Sequence, residues 1–438
     1  MDALVMTGQL LLGLSILVGL HELGHLLAAK AFGMRVEKFY IGFPPKIIGR
    51  KFGETEYAFG AIPLGGFVKI TGMVDESLDT KNLSAEPEPW EFRAKPAWQR
   101  LIVMLGGIIM NVITGIIIFV AMVYHNGESY IAMDEVNKNG IVAYPLATEI
   151  GLRTGDKIVK INGQEFEKFS QVTSPEVLLG TNSYYTVLRN GAEINIVLPP
   201  NMVERLSDKE AVSQFIEPMY PFTIAQIAEG SNAEKGGLQV GDKVIRINGT
   251  PVNYYHEAKE LTVSNAGKSI DVVVLREGNE VPLNLEVTPE GTLGYYPQME
   301  MEVSRIQYSF LEALPKGTEM AFSIVWVNVK AFGKMFSGDI SPSKSLSGPI
   351  GIAKIFGATW DWANFWRITG LLSMVLAFMN LLPIPALDGG HVVFLTYEIV
   401  SGRKPSDRFL ENAQKVGMVL LLSLMVFAFY NDIAKFFQ

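Results

Sequence analysis

Between Ala3 and Ala29 the only ionisable side chains are His21, Glu22 and His25. The stretch is long enough to cross about 30 Å of hydrocarbon. In lipid, backbone donors and acceptors must be satisfied within the segment, which restricts it to helix. On a helix, residues four apart share a face, so His21 and His25 can point two imidazoles at one metal ion. Glu22 sits beside them, placed to hold a water without being a ligand. Most polar residues on apolar faces are merely satisfied core residues. Three ionisable groups in one hydrocarbon-length segment, however, cost several kcal/mol unless neutralised, and so mark a functional site by default. The spacing suits Zn²⁺ with Glu22 as general base, the arrangement of a metal hydrolase.

The rest of the composition narrows the class. The 438 residues include 48% hydrophobic and 19% charged. With a mean hydropathy of +0.22, this implies membrane spans mixed with soluble domains. The net charge of −8 offers no basic footprint, so no nucleic-acid partner is expected. The absence of cysteine excludes a cysteine nucleophile, a thiolate-bound zinc and disulfides. Asp2 is the only charge before Glu22, and no small-residue cleavage site precedes the metal motif. The first segment is therefore expected to be a retained span, not a signal peptide.

Charge sets the expected topology. The loop from Lys30 to Arg100 carries Arg35, Lys38, Lys46, Arg50, Lys51, Lys69, Lys81, Arg93 and Lys95, whereas Leu101–Tyr124 has no Asp, Glu, Lys or Arg. The positive-inside rule places this loop in the cytoplasm and the N-terminus outside. Two further spans are expected at about Ile368–Leu387 and Val416–Tyr430, giving four spans with both termini outside. The metal site then lies near the cytoplasmic face. From Tyr308 to Phe336 charges recur too often for a span, which predicts a helix lying in the interface. The Gly/Pro-broken run Ser345–Lys354 reads as a re-entrant-like segment. Trp360, Trp362 and Trp366 suggest an aromatic belt.

Two soluble features stand out. Glu56–Thr71 is rich in β-formers but broken by Pro63 and the pair Gly65-Gly66, which predicts an edge strand or hairpin. Its stretch Ala61, Ile62, Pro63, Leu64, Gly65, Gly66, Phe67 and Val68 is either a plain surface hairpin or a strand edge able to pair with unwound substrate. Further on, Gly151-Leu-Arg-Thr-Gly-Asp-Lys-Ile-Val-Lys-Ile-Asn-Gly163 recurs as Gly237-Leu-Gln-Val-Gly-Asp-Lys-Val-Ile-Arg-Ile-Asn-Gly249. The period is domain-sized, and each copy reads as a Gly-rich turn, a strand and an Asn-Gly turn. The pattern resembles PDZ domains, which bind peptides by adding a strand to a sheet edge. That resemblance places peptide grooves at Gly140–Tyr144 and Phe222–Ala228. A spacer without ligand is the alternative.

A catalytic zinc usually has three protein ligands and one open position. Candidates for the third are Asp388, His391 and Glu398. Depth favours Asp388, at the cytoplasmic end of the third span; His391 is the chief rival.

His21-Glu22-x-x-His25 together with Asn380-Leu-Leu-Pro383-Ile-Pro385-Ala-Leu-Asp388-Gly-Gly resembles the site-2 protease family of intramembrane zinc metalloproteases. The tandem PDZ-like insertion, Gly107-x-x-x-Asn111, the Pro63–Lys69 strand-loop and Ser347-Gly-Pro-Ile350 resemble its regulator-of-sigma-E branch. The resemblance spans essentially the whole chain. It implies Asp388 as third ligand, Glu22 as the catalytic residue, and substrate contacts at Asn380, Pro383 and Pro385. It implies a fold of four transmembrane helices with a membrane-associated β-hairpin and two inserted α+β PDZ domains. The expected divisions are 1–127, 128–215, 216–306, 307–366 and 367–438. It further implies a bacterial inner-membrane location with the PDZ domains on the outer side. The expected substrate is a single-pass membrane protein of anti-sigma-factor type, already cut on its outer side, or a remnant signal peptide. A peptide or truncated ectodomain would meet the PDZ domains. The rival expectation is a non-catalytic, membrane-anchored PDZ scaffold whose zinc site is structural.

Overall fold

The computed structural model describes residues 2–73, 87–206, 215–341 and 348–434. Ser345 and Ser347 lie outside the described residues. The chain forms two compact units: Met1–Gly127 with Gln307–Gln438, and Glu128–Ile306.

Among the described residues the first unit is mainly helical, with one two-stranded sheet. Its helices are α1 (Asp2–Ala31), α2 (Ala97–Asn126), α3 (Phe310–Ser337), α4 (Pro349–Phe356), α5 (Trp362–Leu381), α6 (Asp388–Ser401) and α7 (Asp407–Ala434). Among the described residues, three are long and apolar enough to cross a membrane: α1, α2 and, from Arg408, α7. The expected third span divides. α5 stops at Leu381, because Pro383 and Pro385 cannot donate to a helical ladder and restrict the residues before them. Asp388 then opens α6 instead of ending a span. The expected short last span is the middle of the 28-residue α7.

Small residues set how closely these helices pack, as is common where lipid offers no hydrophobic drive. A Cβ on Gly24 of α1 would stand 2.1 Å from the Gly106 carbonyl oxygen of α2, so the two backbones touch. α3 lays Ala313, Gly317 and Ala321 against its neighbours and leaves Leu311, Phe322, Trp326 and Phe336 exposed on the far side. A Cβ on Gly317 would fall 2.5 Å from the Val120 backbone. The start of α4 is gripped by Asp432 near the end of α7: its carboxylate accepts the N–H groups of Gly348, Ile350 and Gly351 at 2.9–3.0 Å. Gln9 of α1 donates to the Gly357 carbonyl just past α4.

The sheet is formed by β1 (Val36–Phe52) and β2 (Thr55–Ile70). Its register is folded back on itself. Residues 38–41 pair with 66–69 on one side and with 56–59 on the other. The segment 66–70 is thus an outer edge. A Cβ on Gly66 would meet the Tyr40 carbonyl oxygen at 2.6 Å and Val18 at 2.9 Å, so this glycine lets the edge lie flat on α1.

The second unit has two separate apolar cores. One centres on Ile141, Leu152, Ile158, Tyr185, Val187 and Phe215, the other on Phe222, Val244, Ile247, Val272 and Val274. The two copies of the repeat fold alike. Asp156 and Asp242 are each 1% exposed. Each accepts from the backbone N–H three residues earlier, at Arg153 and Gln239. Each also takes two bonds from an arginine on the following hairpin, Arg189 and Arg276 respectively. The same arginines donate to the carbonyls of Gly151 and Gly237, which locks the Gly-rich turn.

The strands expected as open grooves are not open. Ile141–Ala143 pairs with Ile216–Pro218, and Phe222–Ile227 with Tyr295–Met299. On their other sides Ile141 and Ile224 exchange backbone bonds with Gly155-Asp156 and Gly241-Asp242. Ile141 and Ile224 are thus already bonded on both flanks, which leaves no room for a peptide to ladder at those residues. The one-sided strands of these ladders are Ile216–Pro218 and Tyr295–Met299.

Candidate metal centre and active-site cleft

α1 brings His21 and His25 to one face, and α6 brings Asp388 to meet them. His21 Nε2 lies 3.2 Å from His25 Nε2 and 3.2 Å from Asp388 Oδ2; His25 Nε2 lies 3.4 Å from the same oxygen. Asp388 Oδ2 is buried and accepts no conventional hydrogen bond. The three distances are nearly equal. Ligands at about 2.0–2.1 Å from a tetrahedral zinc are separated by about 3.3 Å. The donor set therefore has the identity and the edge lengths of one face of a zinc tetrahedron. Among the described residues, no fourth His, Asp or Glu joins this group.

The tautomer of His25 follows from its other nitrogen. Nδ1 is 2.8 Å from the Val103 carbonyl, which can only accept. Nδ1 therefore carries the proton and Nε2 is left bare toward the other donors, as metal-binding histidines require. Two glycines of α2 make room. A Cβ on Gly107 would lie 2.4 Å from His25 Nε2 and 2.5 Å from His21 Cε1, and the contact of Gly106 with Gly24 brings α2 that close.

The loop carrying Asp388 is held from two sides. Ala386 has φ 103°, a strained value for a residue with a Cβ. A Cβ on Gly417 of α7 would fall 1.2 Å from the Pro385 carbonyl oxygen, so α7 rests directly on the loop.

A cleft of about 600 Å³ opens on the three donors. Glu22, Gly66, Phe67, Val68, Met104 and Asn380 are among its walls. The Val68 backbone amide faces the Glu22 carboxylate. Asn380, on the last turn of α5, puts its amide nitrogen 3.4 Å from His21 Nε2. The expected substrate strand divides. Gly66, Phe67 and Val68 form the wall, while Ala61, Ile62, Pro63 and Gly65 are not part of it. Leu64 lies in the same strand. Pro383 and Pro385 shape the loop behind the cleft without lining it.

Of the rival third ligands, His391 lines the cleft but stays outside the donor group. Glu398 is spent on Arg100 of α2. Several cleft residues had no local signal in the sequence: Lys38, Phe43, Pro44 and Gln414 reach it only through the folded-back sheet and α7. The chemistry of the arrangement is that of a metal site with an open coordination place, a carboxylate beside it, and a strand edge along the approach.

Comparison with known proteins agrees. The model of peptidase family M50 matches residues 9–424. A regulator of sigma E protease from Haemophilus influenzae is 31% identical, with 98% of each chain covered. The regulator of sigma-E protease of Escherichia coli K12 is 30% identical over 97% of each chain. A protein from Vibrio cholerae named as a zinc metalloprotease is 30% identical over 97% of each. With a family match that spans nearly its whole length and relatives of this kind, the chain belongs to peptidase family M50, the site-2 protease family, and is a metalloprotease.

Proposed function

We propose that this chain is an intramembrane zinc protease that cleaves the transmembrane segment of a single-pass membrane protein. The observation that carries the reading is the triangle of His21, His25 and Asp388, with its buried carboxylate oxygen facing two imidazoles. His21, His25 and Asp388 hold the metal through Nε2, Nε2 and Oδ2. Bound zinc supplies Lewis acidity and brings the pKa of a water toward about 7. Glu22 takes the proton of the attacking water and returns it to the departing amine. Asp388 offsets part of the metal's charge, which eases its placement among apolar helices.

A helical substrate hides its carbonyls in its own hydrogen bonds and must be extended before attack. The outer edge at Gly66–Val68 can ladder with the extended chain, and the Asn380 amide stands beside the metal-facing nitrogen to hold it there. On this reading the chain crosses a bacterial inner membrane four times, through α1, α2, α5 and α7, with the site toward the cytoplasmic side. The second unit, on the outer side, contains two PDZ-type domains. Ile216–Pro218 and Tyr295–Met299 are the edges available to a peptide or a truncated ectodomain. The substrate is of anti-sigma-factor type, in keeping with the names of the relatives, and remnant signal peptides are a second class.

The test compares purified wild type with Glu22→Gln for bound zinc and for cleavage of a single-span peptide. The proposal expects equal zinc and a loss of cleavage of at least about 10³-fold in the variant, the upper part of what a positioned acid–base group contributes. Unaltered cleavage in Glu22→Gln would remove Glu22 from the chemistry, whereas zinc-loaded wild type that cleaves nothing would favour a structural zinc on a scaffold instead.

A further inference from the structure

Each metal-binding imidazole needs a partner for its second nitrogen, because that partner fixes the tautomer and the ring plane. His25 has the Val103 carbonyl. For His21 that group, among the described residues, is Asn111 of α2, whose side-chain amide lies 3.2 Å from His21 Nδ1. Asn111 is 1% exposed, and the other end of its amide makes no hydrogen bond. An unpaired amide end buried among apolar helices is costly, so the residue needs a reason to be there.

We propose that Asn111 is the positioning residue for His21. Its amide oxygen accepts the Nδ1 proton, which leaves Nε2 bare for the metal. The inference rests on the metal reading above. An amide can present either its oxygen or its nitrogen by a half-turn about its last bond, and only the oxygen suits a histidine that binds through Nε2. The backbone around Asn111 is fixed for the task. Ser373 of α5 donates to the Asn111 carbonyl at 2.7 Å in a fully buried contact. One turn earlier on the same face of α2, Gly107 leaves the space the imidazoles fill. The two positions divide the work, one clearing room for the rings and the other holding one of them by its far nitrogen.

The test measures zinc affinity by chelator competition in the intact chain for wild type, Asn111→Leu and Asn111→Asp. Cobalt-substituted absorption spectra report the ligand geometry alongside. The proposal expects zinc binding about 10–100-fold weaker in Asn111→Leu, the usual cost of losing such a partner. It expects Asn111→Asp, which keeps an acceptor oxygen, to bind within about threefold of wild type and to keep the cobalt spectrum. A role in packing alone predicts the reverse order, since leucine fills the space and an aspartate buries a charge. Wild-type affinity in Asn111→Leu overturns the proposal, as does zinc loss in Asn111→Asp. If Asn111→Leu does not fold, the aspartate variant decides alone. Absence of zinc from wild type would sink the metal reading itself, an outcome distinct from failure of the Asn111 assignment.

Discussion

A single methyl group added at Gly107 reaches both imidazoles at once. In Gly107→Ala the new Cβ would stand 2.4 Å from His25 Nε2, 2.5 Å from His21 Cε1 and 2.7 Å from His21 Nδ1. Ordinary contact needs about 3.5 Å, so something must move by about 1 Å. α2 cannot easily recede. Behind it Gly115 receives Met374 of α5, where a Cβ would come within 2.5 Å of the sulfur, and Gly317 of α3 lies on the Val120 backbone. The side chains therefore give way. Metal–ligand distances tolerate about 0.2 Å, a fraction of that displacement. Misplacing one imidazole costs about 10–100-fold in metal affinity, and here two are pushed, so the expected loss is at least about 100-fold. Overpacking costs about 1–3 kcal/mol, which leaves most membrane folds intact. The assay is zinc retained after dialysis against a graded chelator, with thermal unfolding as a check on folding. Gly8→Ala is the control, because a Cβ there meets nothing within 4 Å. Wild-type zinc retention and cleavage in Gly107→Ala would refute the close helix contact from which the site is built.

Other outcomes follow from the same geometry. Gly417→Val should separate α7 from the Pro385 carbonyl, displace Asp388, and lower zinc affinity about 10-fold or more; chelator competition reads it, and unchanged affinity would show the loop to be held elsewhere. Asp156→Ala and Asp242→Ala each remove a buried carboxylate that ties an arginine to a turn, and should destabilise the second unit by about 2–3 kcal/mol. Limited proteolysis should show new cuts within 128–306, with zinc content unchanged. Deleting 128–306 should let the protease cleave a substrate that still carries its whole ectodomain, if the second unit excludes bulky ectodomains; a deletion variant that stays selective would show that it does not. By contrast, Gly65→Val or Gly66→Val is a poor probe of substrate pairing. Both glycines are needed for packing against Phe43, Tyr40 and Val18, so lost activity would follow from misfolding alone.

What the sequence conveyed depended on contact range. The i, i+4 spacing of His21 and His25 is local, and it predicted their shared face. Depth along the helices pointed to Asp388, which lies within hydrogen-bonding distance of both rings. The paired Gly-Asp turns announced two similarly folded segments 86 residues apart. Contacts set by tertiary packing were not legible. Arg189 and Arg276 carry no mark that ties them to the turns more than 30 residues earlier. Asp432 holds the start of α4 across 84 residues. Gly417 looks like any glycine in an apolar helix until the Pro385 carbonyl is seen against it. The strands at Gly140–Tyr144 and Phe222–Ala228 looked free because sequence does not reveal which edges are already paired. The end of α5 was missed by several residues because hydrophobicity continues past Leu381, where prolines have already stopped the helix.

The most direct measurement is zinc stoichiometry and affinity in the intact, detergent-solubilised chain, for wild type and for Asp388→Ala, His21→Ala and His25→Ala. About one zinc per wild-type chain is expected, with affinity falling steeply in all three variants, because donors from α1 and α6 close on one ion. Wild-type protein that holds no stoichiometric zinc, or an Asp388→Ala variant that binds it undiminished, would contradict the account.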